Sequence, residues 1–397
     1  MVPAIAYAKA GELVLLVWLV LILASWPLAK IFASISIEYP HNSGILNFLH
    51  IKAPKNISWF IDDITIFVML VGNPILGFVA ARYFISALHL DYEAFFYPLA
   101  FLFMVLSVTF NMLGLRNSSR FQTFLTFATL SVLLILAGFA FWSYYDKIGY
   151  TFDFSQVGQN LDLTTILQTF GICFFVFVGW ENVAAIAPNV KDRDRTFSRA
   201  ILIAVPIVGV CYMFIAFALA ISIPAEAVGT NFAVLDLLTG GSTSTFFPIL
   251  VSLFSVVVVV VSCNAWVLAA GKVINGLLSE GRLPRFLSRG SKETPHMALV
   301  FLVLFYGLVV FGSYVFGNQE DLIIRYVSAG FIIIYIFTLW YFFKTETEPK
   351  KRFLAMIGLI LTGVAASGVY AEALALLALG LVLLLIRMAS VRMVSRS

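Results

Sequence analysis

The residue that carries the most chemistry is Glu181, in the run Phe174-Phe-Val-Phe-Val-Gly-Trp-Glu-Asn-Val183. It lies two residues after Gly179, somewhat past the midpoint of an apolar segment, 163–188. A charge near the centre of a membrane helix costs about 2.5–3.5 kcal/mol, so such residues face a cavity or a partner and are usually functional. Glycine beside the polar pair Glu181-Asn182 points to a broken helix. Unwinding frees N–H and C=O groups, which can bind a carboxylate or an ammonium where the irregular backbone lines a cavity. Three functional roles are open to Glu181: binding an amino group, carrying a coupling proton on a raised carboxyl pKa, or holding the break in place. The alternative is a buried acid paired with a neighbour for packing alone.

Five further positions are candidates for substrate binding or gating. Asn73, in Val71-Gly-Asn-Pro74, sits mid-segment, where glycine and proline loosen a helix and leave polar groups free. It either meets substrate or satisfies a kink or an interhelix hydrogen bond. Asn264 and Trp266 lie in the middle of segment 246–279, and Trp266 is too deep for the aromatic belt of a membrane interface. A gate or stacking platform is the functional reading of Trp266. Phe175 and Trp180 flank the proposed break, with ordinary core packing as their alternative role. Arg325 falls near the start of a segment and is expected to snorkel.

The elements that must position these residues are membrane helices. Of the 397 residues, 61% are hydrophobic and 12% charged, with a mean hydropathy of +0.99. A soluble domain has about half apolar and a quarter charged residues. The apolar runs reach about 20 residues, the length of a helix across a hydrocarbon core, whereas barrel strands would be half as long and alternating. Eleven complete spans are expected, at 13–36, 58–87, 92–115, 120–143, 163–188, 197–223, 246–279, 295–316, 320–343, 352–367 and 369–388, with residues 1–10 as the end of one more. Residues 232–238 are expected as a short external loop helix.

Most of the 25 Lys and Arg residues fall on one alternate set of loops, from Lys52 and Lys55 through Lys191–Arg199 and Arg282–Lys292 to Lys344–Arg352 and Arg387–Arg396. The opposite set holds only Lys9 and Lys147. By the positive-inside rule the basic loops, and the C-terminus with them, are cytoplasmic. The net charge of +4 includes no long basic run with interleaved aromatics, which argues against nucleic-acid binding. Cys173, Cys211 and Cys263 lie in apolar segments without metal-ligand spacing. His41, His50, His89 and His296 are scattered near segment ends and read as structural or solvated. No catalytic constellation, metal site or cofactor motif is present in the sequence, so an enzyme is the least favoured class.

The stretch Phe177-Val-Gly-Trp-Glu-Asn-Val183, with Val190-Lys-Asp-Arg-Asp-Arg-Thr196 and Arg199-Ala-Ile201, resembles the sixth helix and following loop of the amino acid-polyamine-organocation superfamily. Ala265-Trp266 through Leu278-Ser-Glu-Gly-Arg-Leu-Pro284 to Thr294-Pro295 resembles its eighth helix and cytoplasmic loop, and Ser36-Ile-Glu-Tyr-Pro40 with Ser43-Gly44 the end of its second. The likeness spans nearly the whole chain and is strongest to bacterial exporters of methionine and branched-chain amino acids.

The resemblance implies an all-α integral membrane protein with a LeuT-like five-plus-five inverted-repeat helix bundle: 11 complete transmembrane helices plus the end of helix 1. Residues 1–397 would form one transporter domain, with 1–10 the remnant of helix 1, 11–343 helices 2–10, and 344–397 helices 11 and 12. It implies alternating access around a midplane site between helices 1 and 6. Gly179 and Glu181 match the helix 6 break, Phe175 an aromatic gate, Trp266 an aromatic of the helix 8 pathway, and Asn73 a polar position on helix 3. Because Val2-Pro3 resembles the segment after the family's helix 1 break, a misplaced start codon or a truncated reading frame is expected. Segment 120–143 lacks the Lys that some members carry there.

The expected function is secondary active transport of amino acids, neutral apolar ones first, across a bacterial inner membrane, coupled to H+ or a counter-substrate. The alternatives are a polyamine or organic cation carrier, disfavoured by a single cavity acid, and a transport-dead membrane sensor or scaffold.

Overall fold

The computed structural model describes residues 2–41, 43–113, 162–179, 187–222, 246–283, 296–317 and 319–394, with isolated positions between 123 and 138 and at 184 and 287. In chain order the helices are α1 (Val2–Ala10), α2 (Val14–Glu38), α3 (Ile45–Lys52), α4 (Lys55–Leu88), α5 (Tyr92–Met112), α6 (Leu163–Phe174), α7 (Arg193–Ser222), α8 (Phe246–Ser279), α9 (His296–Val315), α10 (Glu320–Thr345), α11 (Pro349–Gly368) and α12 (Tyr370–Val394). Among the described residues, nine helical segments are long and apolar enough to cross a membrane; α1 and α2 count as one, joined by a single 3-10 turn, Gly11–Leu13. The protein is a multi-pass membrane protein. Helices are the expected solution because hydrocarbon offers no partner to an unsatisfied N–H or C=O.

Local chemistry sets the helix limits. Asp91 caps α5 by accepting from the N–H groups of Glu93 and Ala94, and Asp162 caps α6 through Thr164 and Thr165. Pro349 opens α11, where its missing N–H costs nothing. α4 ends on His89 in the left-handed conformation, φ 51°. The spans expected at 58–87, 246–279, 320–343 and 369–388 correspond to α4, α8, α10 and α12, each within a few residues except the longer C-terminal end of α12. Most of the expected span 120–143, and the loop helix at 232–238, lie outside the described residues.

α4 and α10 form the centre of the bundle. α4 packs against α5, α8, α9, α10 and α12, and α10 against α4, α6, α11 and α12. The outer helices turn apolar side chains such as Leu202, Leu304, Phe311, Ile360 and Leu385 outward, the surface that lipid covers. α6 and α11 cross at near-backbone contact. A Cβ on Gly368 would overlap the Leu167 carbonyl, and one on Gly171 would lie 3.0 Å from the Ala365 oxygen. Ser328 of α10 donates to the Gly171 carbonyl at 2.6 Å and locks the crossing. Small residues permit such close approach between membrane helices.

Candidate functional site

α6 stops in mid-segment. Its regular turns end at Phe174, a 3-10 turn covers Phe175–Phe177, Val178 is extended (φ −82°, ψ 162°), and Gly179 takes φ +125°. That conformation is readily available only to glycine. No described atom lies within 4 Å of the place where a Cβ would stand on Gly179. The Gly179 N–H donates to the Tyr335 hydroxyl of α10 at 3.3 Å, so the loosened strand has a specific side-chain partner. Tyr335 is fully buried between Phe32 and Phe174, with ring centroids at 4.4 and 5.8 Å. Just before the break, Phe177 packs with Trp18 of α2 and Tyr212 of α7, which stack on each other at 5.1 Å.

Beside Tyr335, on the Phe331–Ile334 face of α10, lies a small apolar cavity. Its wall comes from α4 (Thr65, Val68, Met69), α8 (Trp266, Ala269, Ala270, Val273), α10, and the residues leading into α3 (Ser43, Ile45, Leu46). Among the described residues the wall is almost wholly apolar and holds no acidic residue. Trp266 forms one side of it. Its indole lies over Gly72, where a Cβ would come within 2.7 Å of the ring, and its N–H donates to the Met69 carbonyl at 3.4 Å. Phe331 meets the same ring edge-on at 6.1 Å. Gly72 is therefore the space that admits the indole.

The structure brings Trp266 into the cavity wall and places Gly179 one helix face away, through Tyr335. Phe175 is partly buried in the 3-10 turn against the core. Trp180, Glu181 and Asn182 lie outside the described residues. Asn73 and Asn264 sit elsewhere, in a buried polar layer among α4, α5, α8 and α9. Asn111 donates to the Asn264 side chain at 2.5 Å and to its carbonyl at 3.1 Å. Asn73 is wholly buried beside Cys263 and Tyr306, without hydrogen-bond geometry to either.

Sequence reasoning missed two ionic clusters. The first joins α4 to α10: Arg82 makes two hydrogen bonds of 2.5 Å to Glu320, both side chains being nearly inaccessible, with Tyr92 and the Phe96 ring also on the guanidinium. The second lies at the basic-loop end of the cavity. His50 of α3 places Nε2 2.7 Å from Asp62 Oδ1 and Nδ1 2.6 Å from Glu280 Oε2. Arg282 closes the ring, with Nη1 2.7 Å from Asp62 and Nε 3.0 Å from Glu280. Arg325, expected to snorkel, is instead held by Glu372 of α12 at 2.8 Å, because α12 offers it a buried carboxylate.

The model of the amino acid permease family matches residues 1–392. The L-methionine/branched-chain amino acid exporter YjeH of Escherichia coli strain K12 is 28% identical over 375 residues, 91% of this chain and 84% of that protein. The uncharacterized amino acid permease YecA of Bacillus subtilis strain 168 is 21% identical over 344 residues, 85% and 78% of the two chains. The cadaverine/lysine antiporter of Escherichia coli strain K12 is 20% identical over 279 residues, 70% of this chain and 62% of that one. With the match running from the first helix to the last, this chain belongs to the amino acid permease family, within the amino acid-polyamine-organocation superfamily that its motifs resemble.

Proposed function

We propose that the protein is a secondary active transporter of neutral amino acids with apolar side chains, working by alternating access in a bacterial inner membrane. The observation that carries this reading is the pairing of the α6 break with the apolar cavity. The irregular, non-helical backbone at Gly179 suits the charged α-carboxylate and ammonium groups, and the apolar wall around Trp266 suits an uncharged side chain. The similarity to an exporter of methionine and branched-chain amino acids supports the same substrate class. In this reading the chain is one domain over 1–397, with a five-plus-five inverted repeat, 11 complete spans plus the end of helix 1, and a cytoplasmic C-terminus. Gly179, Trp180, Glu181 and Asn182 line the site, Phe175 and Trp266 gate it, and Asn264 ties α8 to α5 through Asn111, with Asn73 buried in the same layer. Glu181 carries the coupling proton where H+ rather than a counter-substrate drives the cycle. Lipid and the amino acid are its partners.

Counterflow in proteoliposomes tests the proposal. Labelled methionine or leucine is expected to accumulate against the same unlabelled amino acid, and Trp266→Ala to lose most of that signal. Accumulation of cadaverine or lysine instead would replace the substrate class with the polyamine and cation reading, which the apolar character of the described cavity wall disfavours. Binding without flux would establish the sensor reading.

A further inference from the structure

Lys and Arg keep their charge at any ordinary pH, but an imidazole does not, and His50 occupies the one place in the described ionic clusters where its charge decides the geometry. Its side chain is 7% exposed and touches carboxylate oxygens on both nitrogens. Carboxylates only accept. A neutral imidazole has one N–H and one bare lone pair; with Nε2–H given to Asp62, a bare Nδ1 would face the Glu280 carboxylate at 2.6 Å, a repulsion that a second proton turns into an ion pair. With that proton the described groups balance: His50 and Arg282 against Asp62 and Glu280. Without it the cluster keeps a surplus negative charge, and a lone pair faces a carboxylate oxygen.

The cluster is also mechanically placed. Ser43, Ile45 and Leu46, at the start of α3, form the cavity wall nearest the basic-loop end. Ser43 donates to Glu280 Oε1 at 3.3 Å, and its backbone abuts Gly276 of α8, where a Cβ would stand 2.8 Å from the Ser43 nitrogen. α3 is thus pinned to the end of α8 through Glu280, and to α4 through Asp62. We infer that His50 is a proton-binding latch: the imidazolium ties α3 to α4 and α8 at the basic-loop end of the cavity, and loss of the proton releases it.

Glu280 is the side that yields. Its contact to Nδ1 lies off the hydrogen-bond line, and its side chain is 24% exposed against 2% for Asp62. Asp62 stays held by Arg282. The other titratable or charged groups around the latch are His41, 3.6 Å from Glu280 and bonded to Ser43, and, one contact further out, Arg387 of α12, which donates to the Arg282 carbonyl and lies 3.5 Å from Asp63. Among the described residues no three His, Cys, Asp or Glu side chains are arranged to hold a metal ion, which leaves the proton as the ligand.

The pKa shifts agree in sign. Burial works to lower the His50 pKa, but the hydrogen bonds and charges of Asp62 and Glu280 outweigh it, and the net shift is upward from 6.5. Burial works to raise that of Glu280, and His50, Arg282 and His41 together hold it below 4.5. A raised histidine stabilises the closed latch at low pH and loses that contribution as pH rises through its folded value. A depressed carboxyl does the reverse, so the latch holds between the two. That the opened cavity admits an amino acid rests on the transport reading; the latch itself does not.

The test therefore uses no substrate. Ile51 on the exposed face of α3 and Phe353 at the start of α11 are changed to cysteine in a full-length chain whose three native cysteines are alanine, and both are spin-labelled. Electron–electron distance distributions are read at about pH 5.5 and about pH 8.5, on either side of an imidazole pKa raised from its ordinary value. The expected result is a shift to longer, broader distances at the higher pH. His50→Arg is expected to keep the short distance at both pH values, and His50→Gln to give the long one at both. An identical distribution at the two pH values in the unsubstituted background, or a His50→Gln chain that still shifts, overturns the proposal. A chain in which His41, His89 and His296 are Gln guards against folding failure, since NMR titration of its one ring reads the site directly. A pKa above 6.5 supports the latch; one at or below that value overturns it. Counterflow on the same preparations is scored separately, so a wrong substrate class and a missing latch give different results.

Discussion

Two buried ionic clusters among the described residues differ in kind. Arg82 and Glu320 form a two-atom clasp between α4 and α10, enclosed on all sides, with a guanidinium that never loses its charge. The cluster around His50 joins three elements, reaches the rim, and depends on a group that titrates near neutrality. The same helix, α4, enters both. The contrast teaches that one end of α4 is fastened permanently to α10, while the other is fastened conditionally. Under the proposed alternating-access cycle, such an asymmetry separates what holds from what lets go.

Breaking the clasp is the severest test of this contrast. Arg82→Leu or Glu320→Leu leaves a buried charge without its partner and should destabilise the detergent-solubilised protein by about 3–5 kcal/mol. The loss should be the same across the neutral pH range, and the double Arg82→Met/Glu320→Leu chain should recover much of it, read by thermal unfolding. Next in size, Asp62→Asn strips His50 and Arg282 of their shared carboxylate and should cost about 2–3 kcal/mol. Smaller, and diagnostic, is His50→Gln: a deficit of about 1–2 kcal/mol near pH 6 that vanishes as pH rises through the raised imidazole pKa, because the contribution it deletes exists only while the ring is charged. A deficit independent of pH would make the two clusters alike. Smallest should be Lys351→Ala, which removes surface pairs to Glu38 and Glu348 and is expected to cost under about 0.5 kcal/mol.

What was legible in the sequence follows from range. The helices are local facts: a run of apolar residues, a capping Asp91 or Asp162, a proline at Pro349. Their limits were accordingly close, and the departure from helix at Gly179 was visible because glycine stood beside polar residues deep in a segment. The Gly72–Trp266 contact was half legible, as a glycine before Asn73 and a tryptophan too deep for an interface, but nothing in the chain says that one receives the other. The clusters were not legible. His50 is 12 residues from Asp62 and 230 from Glu280, and Arg82 is 238 from Glu320, so only the folded chain pairs them. A histidine near a segment end has no local sign that distinguishes a solvated ring from a bridging one. The same limit applies to Asn73, whose polar character was plain but whose direction, toward Cys263 and Tyr306, depends on how α8 and α9 pack.

The crossing of α6 and α11 has a consequence of its own. With Gly368 seated on the Leu167 carbonyl and Ser328 tying Gly171 from the other side, neither helix has clearance to slide along the other. Any tilt of the segment that ends at the Gly179 break must be transmitted to α11 as a rigid lever transmits rotation past its fulcrum. α11 carries that displacement to the lipid-facing side of the molecule, where Val364 and Ile360 are exposed. Motion at the centre can thus be observed from the periphery.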